Sequence, residues 1–192
     1  MSTVYLNGVA VDAGAGDVGH KEMTPDITPR WVIPGWFVDV VGSVYCNASI
    51  IWYTPIRVAR TTTYIRIGIH VLTLAVGTAD LRIFAWNNGV PGALILSAGT
   101  VDTGTNGYKE IEIAQELTPG YYFLAIRCSG APNLSGPDID FAVKPPVSGF
   151  HDIGNPACNA VILYTATAFA DPAPAPTAWS GPAHAFVSLR EA

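Results

Sequence analysis

The sequence predicts an all-β chain, an antiparallel β-sandwich with an extended N-terminal arm, and three observations predict it. Between residues 64 and 127, apolar side chains alternate with polar or aromatic ones at a period of two, the signature of half-buried strands. Glycine, proline and asparagine punctuate these runs, most clearly at Asn87-Asn88-Gly89-Val90-Pro91-Gly92 and Leu117-Thr118-Pro119-Gly120. No stretch of similar length places apolar residues at helical spacing between capping signals.

Residues 1–48 scatter Gly and Pro among Trp31, Trp36, Phe37 and Tyr45 without sustained alternation. Rings of this kind are costly to leave in water, so the segment reads either as an arm that wraps the domain or a neighbour, or with Phe37 to Val44 as the first strand. Residues 49–192 are assigned to the sandwich. Ser49 to Val58 is a strand in which Pro55 implies an edge or a bulge. Thr61 to Leu74 follows, with Ile65, Ile67, Ile69 and Val71 on one face and Tyr64, Arg66, Gly68 and His70 on the other. In Ala79 to Trp86, Leu81, Ile83 and Ala85 oppose Asp80, Arg82, Phe84 and Trp86.

The Asn87-Asn88-Gly89 step tolerates positive φ and predicts a tight reversal. Leu94 to Ser97 and Tyr108 to Ala114 come next, separated by the loop Thr103-Gly104-Thr105-Asn106-Gly107; Ile111 and Ile113 oppose Glu110 and Glu112. In the strand after Pro119, Tyr122, Leu124 and Ile126 oppose Tyr121, Phe123, Ala125 and Arg127. Ser129 to Asn133 and Lys144 to Gly149 read as surface loops. Asn159 to Thr165 and Ala183 to Leu189 read as last strands, split by Asp171-Pro172-Ala173-Pro174-Ala175-Pro176, a polyproline-like excursion that a sheet interior cannot hold. Internal repeats and long linkers are absent, so one domain of 192 residues is expected.

Charged residues make up 13% of the chain, against roughly a quarter in soluble proteins generally, while 49% are hydrophobic. So little charge suggests a surface that faces protein as much as water. Membrane insertion is not expected: the best window, Trp31 to Ile56, is broken by Pro34, Gly35, Asp39, Gly42, Asn47 and Pro55, and no run approaches the roughly 18 apolar residues a span requires. The first residues lack a basic stretch followed by an apolar core, so no signal peptide is expected and synthesis in a cytoplasm is. A net charge of −5, with ten Lys and Arg scattered, leaves no basic stripe for nucleic acid. Cys46, Cys128 and Cys158 fit neither a disulfide framework nor a CxxC metal pair, and read as buried free thiols.

The run Asn87 to Gly92, then Ala98-Gly99-Thr100-Val101, Lys109-Glu110-Ile111-Glu112-Ile113 and Leu117-Thr118-Pro119-Gly120-Tyr121-Tyr122-Phe123-Leu124-Ala125, resembles a β-sandwich segment of structural proteins of tailed bacteriophages and related particles. Trp52 to Val58 and Thr62 to Gly68 fit the same pattern. The resemblance covers roughly residues 50 to 127. It implies a jelly-roll, carbohydrate-binding-module-like unit of the kind found in fibres, spikes and capsid-attached proteins. The role implied is a non-enzymatic virion structural protein and a homo-oligomer; fibres and spikes are commonly trimers, but the sequence does not fix the symmetry. It would contact other virion proteins and a host-surface polysaccharide. No catalytic residue and no cofactor comes with it.

A hydrolase needs a nucleophile with its base, or two carboxylates held close on a rigid frame. His20, His70, His151 and His184 are far apart in sequence and sit in no such motif. Asp138-Ile139-Asp140 lacks the glycine turn and bidentate Glu of a loop calcium site, and reads as a solvated pair. Asn47-Ala48-Ser49 and Asn133-Leu134-Ser135 match the glycosylation triplet by chance in a chain expected to have no signal peptide. The remaining constellation is the face opposite the aliphatic stripe, where Tyr64, Arg66 and His70 would join Arg82, Phe84, Trp86, Tyr121, Phe123 and Arg127. Rings and guanidinium groups on a sheet face suit burial under a second layer, a subunit interface, or stacking on sugars. Sequence leaves all three open.

Overall fold

The computed structural model describes residues 4–6, 9–11, 31–32, 41–137, 162–165, 168–180 and 185–192. These residues form antiparallel strands and no helix, in two facing six-stranded sheets and a small hairpin of β1 (Val4–Leu6) with β2 (Val9–Val11). No helix among them is long and apolar enough to cross a membrane.

The first sheet runs β13 (Ala178–Ser180), β12 (Ile162–Thr165), β5 (Ile51–Val58), β10 (Gly120–Cys128), β7 (Thr78–Asn87), β8 (Val90–Asp102). The second is built on β6 (Thr62–Thr73). One edge of β6 takes β9 (Gly107–Leu117) along nearly its whole length. Its other edge is shared by β14 (Ser188–Glu191), which carries β3 (Trp31–Val32), and by β11 (Asn133–Pro137), which carries β4 (Val41–Tyr45). Of residues 1–48, then, Trp31–Val32 and Val41–Tyr45 contribute strands to the second sheet.

Between the sheets lies the main core, where Ile56 and Val58 of β5, Leu81 and Ile83 of β7, and Leu124 and Ile126 of β10 meet Ile67, Ile69 and Val71 of β6 and Leu189 of β14. Burying such side chains gives each about 1.5–3 kcal/mol, so the alternation that aims them inward specifies the register as well as the stability. β7 and β8 are joined by a two-residue reversal with Asn87 paired to Val90; Asn88 and Gly89 adopt φ of 49° and 92°, the left-handed values that this turn demands. β9 is an edge strand and carries Lys109, Glu110, Glu112 and Glu116, charges that discourage pairing with another chain.

The structure departs from the sequence reading at three places. Tyr64 does not share a face with Arg66 and His70: the register of β6 shifts between Tyr64 and Arg66, against both β9 and β14, and turns the Tyr64 ring into the core. Such a bulge adds one residue and inverts the alternation beyond it. At Pro55, β5 is paired with β10 on one side, and on the other the described residues of β12 pair with residues 51–53. Beyond the loop that ends at Asn133, the chain forms β11, whose Leu134 is fully buried. Ala178–Ser180 is a further strand that its three residues gave no pattern to find.

Candidate functional site

The nine residues singled out from the sequence lie in three different places. Six of them share the outer face of the first sheet: Arg82, Phe84 and Trp86 on β7 and Tyr121, Phe123 and Arg127 on β10. Register sets Phe84 beside Phe123 and Arg127 beside Asp80, while β5 adds Tyr53 and Ile51 on the other flank of β10. Arg66 and His70 are on the outer face of the second sheet, across the sandwich. Tyr64 belongs to the core between them.

What covers the first face is not a sheet but the proline-rich segment 168–177. Phe169 lies against Phe84 with ring centroids 5.8 Å apart, and the Arg82 guanidinium sits 4.4 Å from the centre of the Phe169 ring. The segment is tied down by the Ala173 amide, which donates to the Gly92 carbonyl at 2.8 Å, and by Asp171, whose carboxylate accepts from the Leu94 amide at 3.0 Å. The Tyr53 hydroxyl donates to the Pro174 carbonyl at 3.4 Å. Ile51, Tyr53, Phe84, Phe123 and Ala125 are thereby closed into a second, smaller core. Burial pushes the Tyr53 phenol up, only partly offset by the Arg82 charge. Arg82 is held by Asp80 through two hydrogen bonds, of 3.2 and 2.9 Å. Trp86 stacks on Phe123 at 5.1 Å and leans on Tyr121 at 5.4 Å, half-buried at the rim of the covered zone.

The outer face of the second sheet is arranged differently. Arg66 donates to Glu112 at 2.7 Å and lies 3.6 Å from Glu110. His70 stacks on Tyr108, centroids 4.2 Å apart, and its Nδ1 is 2.8 Å from the Ser135 hydroxyl. Ser135 is buried, and the contact fixes the imidazole beneath the tyrosine ring. Tyr108 itself is 78% exposed.

Farther along β6, where its register shifts against β11, Leu72 is 36% exposed, and Asn133 links Tyr45 of β4 in register with Thr73. Beyond the strand come Leu74, 49% exposed, and Val76, 88% exposed; Tyr45 is 58% exposed. The loop that presents Val76 is pinned: the Ala75 amide donates to the Thr103 carbonyl at 3.1 Å, the Thr103 amide to Gly77 at 2.9 Å, and the Thr103 hydroxyl to Ala75 at 2.9 Å. Gly130 packs so closely there that a Cβ on it would meet the Val76 carbonyl at 2.6 Å.

Sequence reasoning did not single out this patch or Ser135. Tyr108 was within reach, since it has the same parity as the outward Glu110 and Glu112. Leu72, Leu74 and Val76 carry no such signal, because an apolar residue at a strand end reads as core. Among the described residues no three His, Cys, Asp or Glu side chains gather to hold a metal. His20, His151, His184, Cys158 and the Asp138–Asp140 pair lie outside the described residues. Compared with known proteins, the chain matches no family model, no curated protein and no solved structure, so the reading of the site rests on its own chemistry.

Proposed function

We propose that this chain is a non-enzymatic structural subunit of a tailed-phage-like particle, a jelly-roll-like spike, fibre or decoration that self-associates as a homo-oligomer and docks on other virion proteins. The observation that carries the reading is the number of large apolar side chains left exposed on and just beyond the strands of the second sheet: Tyr45, Leu72, Leu74, Val76 and Tyr108. Large apolar side chains exposed in one region suit an interaction surface, and aromatic rings are enriched at interfaces. The pinned backbone on either side of Val76 adds to this, because a loop already held in place has less freedom to lose on association. The scarcity of charge and the sequence resemblance support the same role.

Light scattering on the purified protein at several concentrations, with no ligand, tests it. A stable multimer is expected, reduced to monomers by the double substitution Leu74→Asp and Val76→Asp while the β-rich circular dichroism stays unchanged. A wild-type protein that is monomeric at every concentration overturns self-association.

One observation favours a second reading, a carbohydrate-binding module for a host-surface polysaccharide. Tyr108 offers one open ring face, fixed from behind by His70, with Glu110 and then the Arg66–Glu112 pair farther along the same strands as hydrogen-bonding groups. Trp86 is the weaker platform because its ring is already stacked on Phe123. On this reading Tyr108→Ala lowers retention on polysaccharide at least tenfold and leaves the fold intact; equal retention by wild type and variant removes it.

A further inference from the structure

Cys46 and Cys128 come from opposite sheets and meet at the end of the main core. Cys46 follows β4, Cys128 closes β10, and both are buried and free. The backbone around them is fixed on each side: the Ser49 amide donates to the Cys128 carbonyl at 2.7 Å, and the Cys46 amide donates to the Pro132 carbonyl at 2.9 Å. Both side chains belong to one buried core cluster, and the Ser49 hydrogen bond brings the turn after Cys46 against the end of β10; the neighbouring Cys128 and burial push the Cys46 thiol up from its ordinary range. Buried cysteines often serve simply as small apolar side chains. Two of them in one buried cluster, one from each sheet and each beside a pinned backbone, make a pair.

We propose that Cys46 and Cys128 form a modification site, an inter-sheet disulfide closed by exchange with a low-molecular-weight disulfide. One cysteine, as thiolate, attacks the small disulfide and expels one small thiolate, leaving a mixed disulfide. The second cysteine attacks the protein-bound sulfur and expels the other. Two protein S–H bonds are lost, one S–S bond forms, the small disulfide is reduced to two thiols, and those thiols keep the two protons. Exchange proceeds only from the thiolate, so the buried, protonated pair is inert while the sandwich is closed. Access comes through the turn at Asn47, Ala48 and Ser49, which is exposed and directly follows Cys46. The cross-link closes a loop of roughly 80 residues and joins the two sheets where the core ends, which restricts the unfolded chain strongly. This inference does not rest on the assembly or glycan readings.

The full chain, refolded in a glutathione buffer poised to oxidise, is alkylated and mapped by mass spectrometry. The expected product is a single cross-linked peptide pair containing Cys46 and Cys128, with a mass loss of about 2 Da. Its melting temperature should rise by on the order of 10 °C, reversed by a dithiol reductant, with native circular dichroism throughout. Cys46→Ala and Cys128→Ala should each abolish both the cross-link and the shift. The wild-type map decides the matter even if a variant does not fold. Recovery of Cys46 and Cys128 as separately alkylated thiols overturns the proposal. So does either one joined to Cys158 or to glutathione, or a cross-linked product that has lost its native spectrum.

Discussion

The two outer faces of the sandwich start from the same strand pattern and end differently. On the first sheet, the non-core positions of β5, β7 and β10 carry Tyr53, Phe84 and Phe123, and segment 168–177 lies over them as a lid of one aromatic ring and several prolines. On the second sheet, the non-core positions of β6 and β9 carry Arg66, His70, Tyr108, Glu110 and Glu112, and Tyr108 stands in the open. An outward aromatic ring is therefore not a site by itself. What decides its role is whether the rest of the chain has a segment to place over it, because an uncovered ring keeps its free face for something outside the molecule.

The contrast is broken most forcefully by truncating one ring on each face. Phe84→Ala removes a fully buried side chain and leaves a cavity among Tyr53, Phe123 and Phe169; a loss of about 3–5 kcal/mol is expected in urea unfolding. Tyr108→Ala should change stability by less than about 0.5 kcal/mol, since its ring touches little besides His70. Similar losses from both would mean that the second face is covered too.

The covering segment supplies the next test. Phe169→Ala forfeits its contact with Phe84 and the guanidinium of Arg82, each worth roughly 0.5–1.5 kcal/mol. A loss of about 1–3 kcal/mol is expected, together with faster limited proteolysis within 168–177. An unchanged cleavage rate would mean that Asp171 and Ala173 hold the segment without the ring.

How much of this was legible in the sequence follows from how far each residue's fate depends on its own strand. Leu81, Ile83, Leu124 and Ile126 declare themselves by parity, and so do the outward positions of Arg82, Phe84, Trp86, Tyr121, Phe123 and Arg127. The Asn87 to Val90 reversal is readable because only a few residues tolerate its backbone. Tyr64 was misplaced because a bulge is a property of two strands in register, and no single strand encodes it. That Arg66 and His70 lie across the sandwich from Arg82 is a matter of which sheet each strand joins, and alternation is silent on sheet membership. The lid was visible as a proline run excluded from sheet interiors, but its resting place depends on contacts more than seventy residues away, such as Asp171 to Leu94. The Cys46–Cys128 pair and the Ser135–His70 contact are long-range in the same way.

A smaller effect sharpens the covered side through pH. Tyr53 titrates near 10 in an unfolded chain and is pushed higher in the fold by burial. The neutral phenol is what the covered face stabilises, so this contribution is complete below pH 10. It is lost as pH rises from there toward the folded value, over which range the unfolded chain releases the proton first. Stability should fall with alkali in wild type, and Tyr53→Phe should flatten that fall while costing little at neutral pH beyond its single hydrogen bond to Pro174. A variant with the same alkaline slope would place the sensitive group elsewhere.

The smallest effect belongs to the open face, and its smallness is the point. Arg66 meets Glu112 at 2.7 Å, but Glu112 is mostly in solvent and the pair is screened. A double-mutant cycle on Arg66→Ala and Glu112→Ala should return a coupling of about 0.2–1 kcal/mol that shrinks further in 1 M salt. An ion pair worth so little to the fold costs little to open, so Arg66, Glu110 and Glu112 can exchange one another for an incoming hydroxyl or a partner's backbone without unsettling the sheet. Were the coupling instead to reach 2–3 kcal/mol and resist salt, the pair would be structural. The open face would then resemble the covered one, a closed arrangement that only happens to lie at the surface.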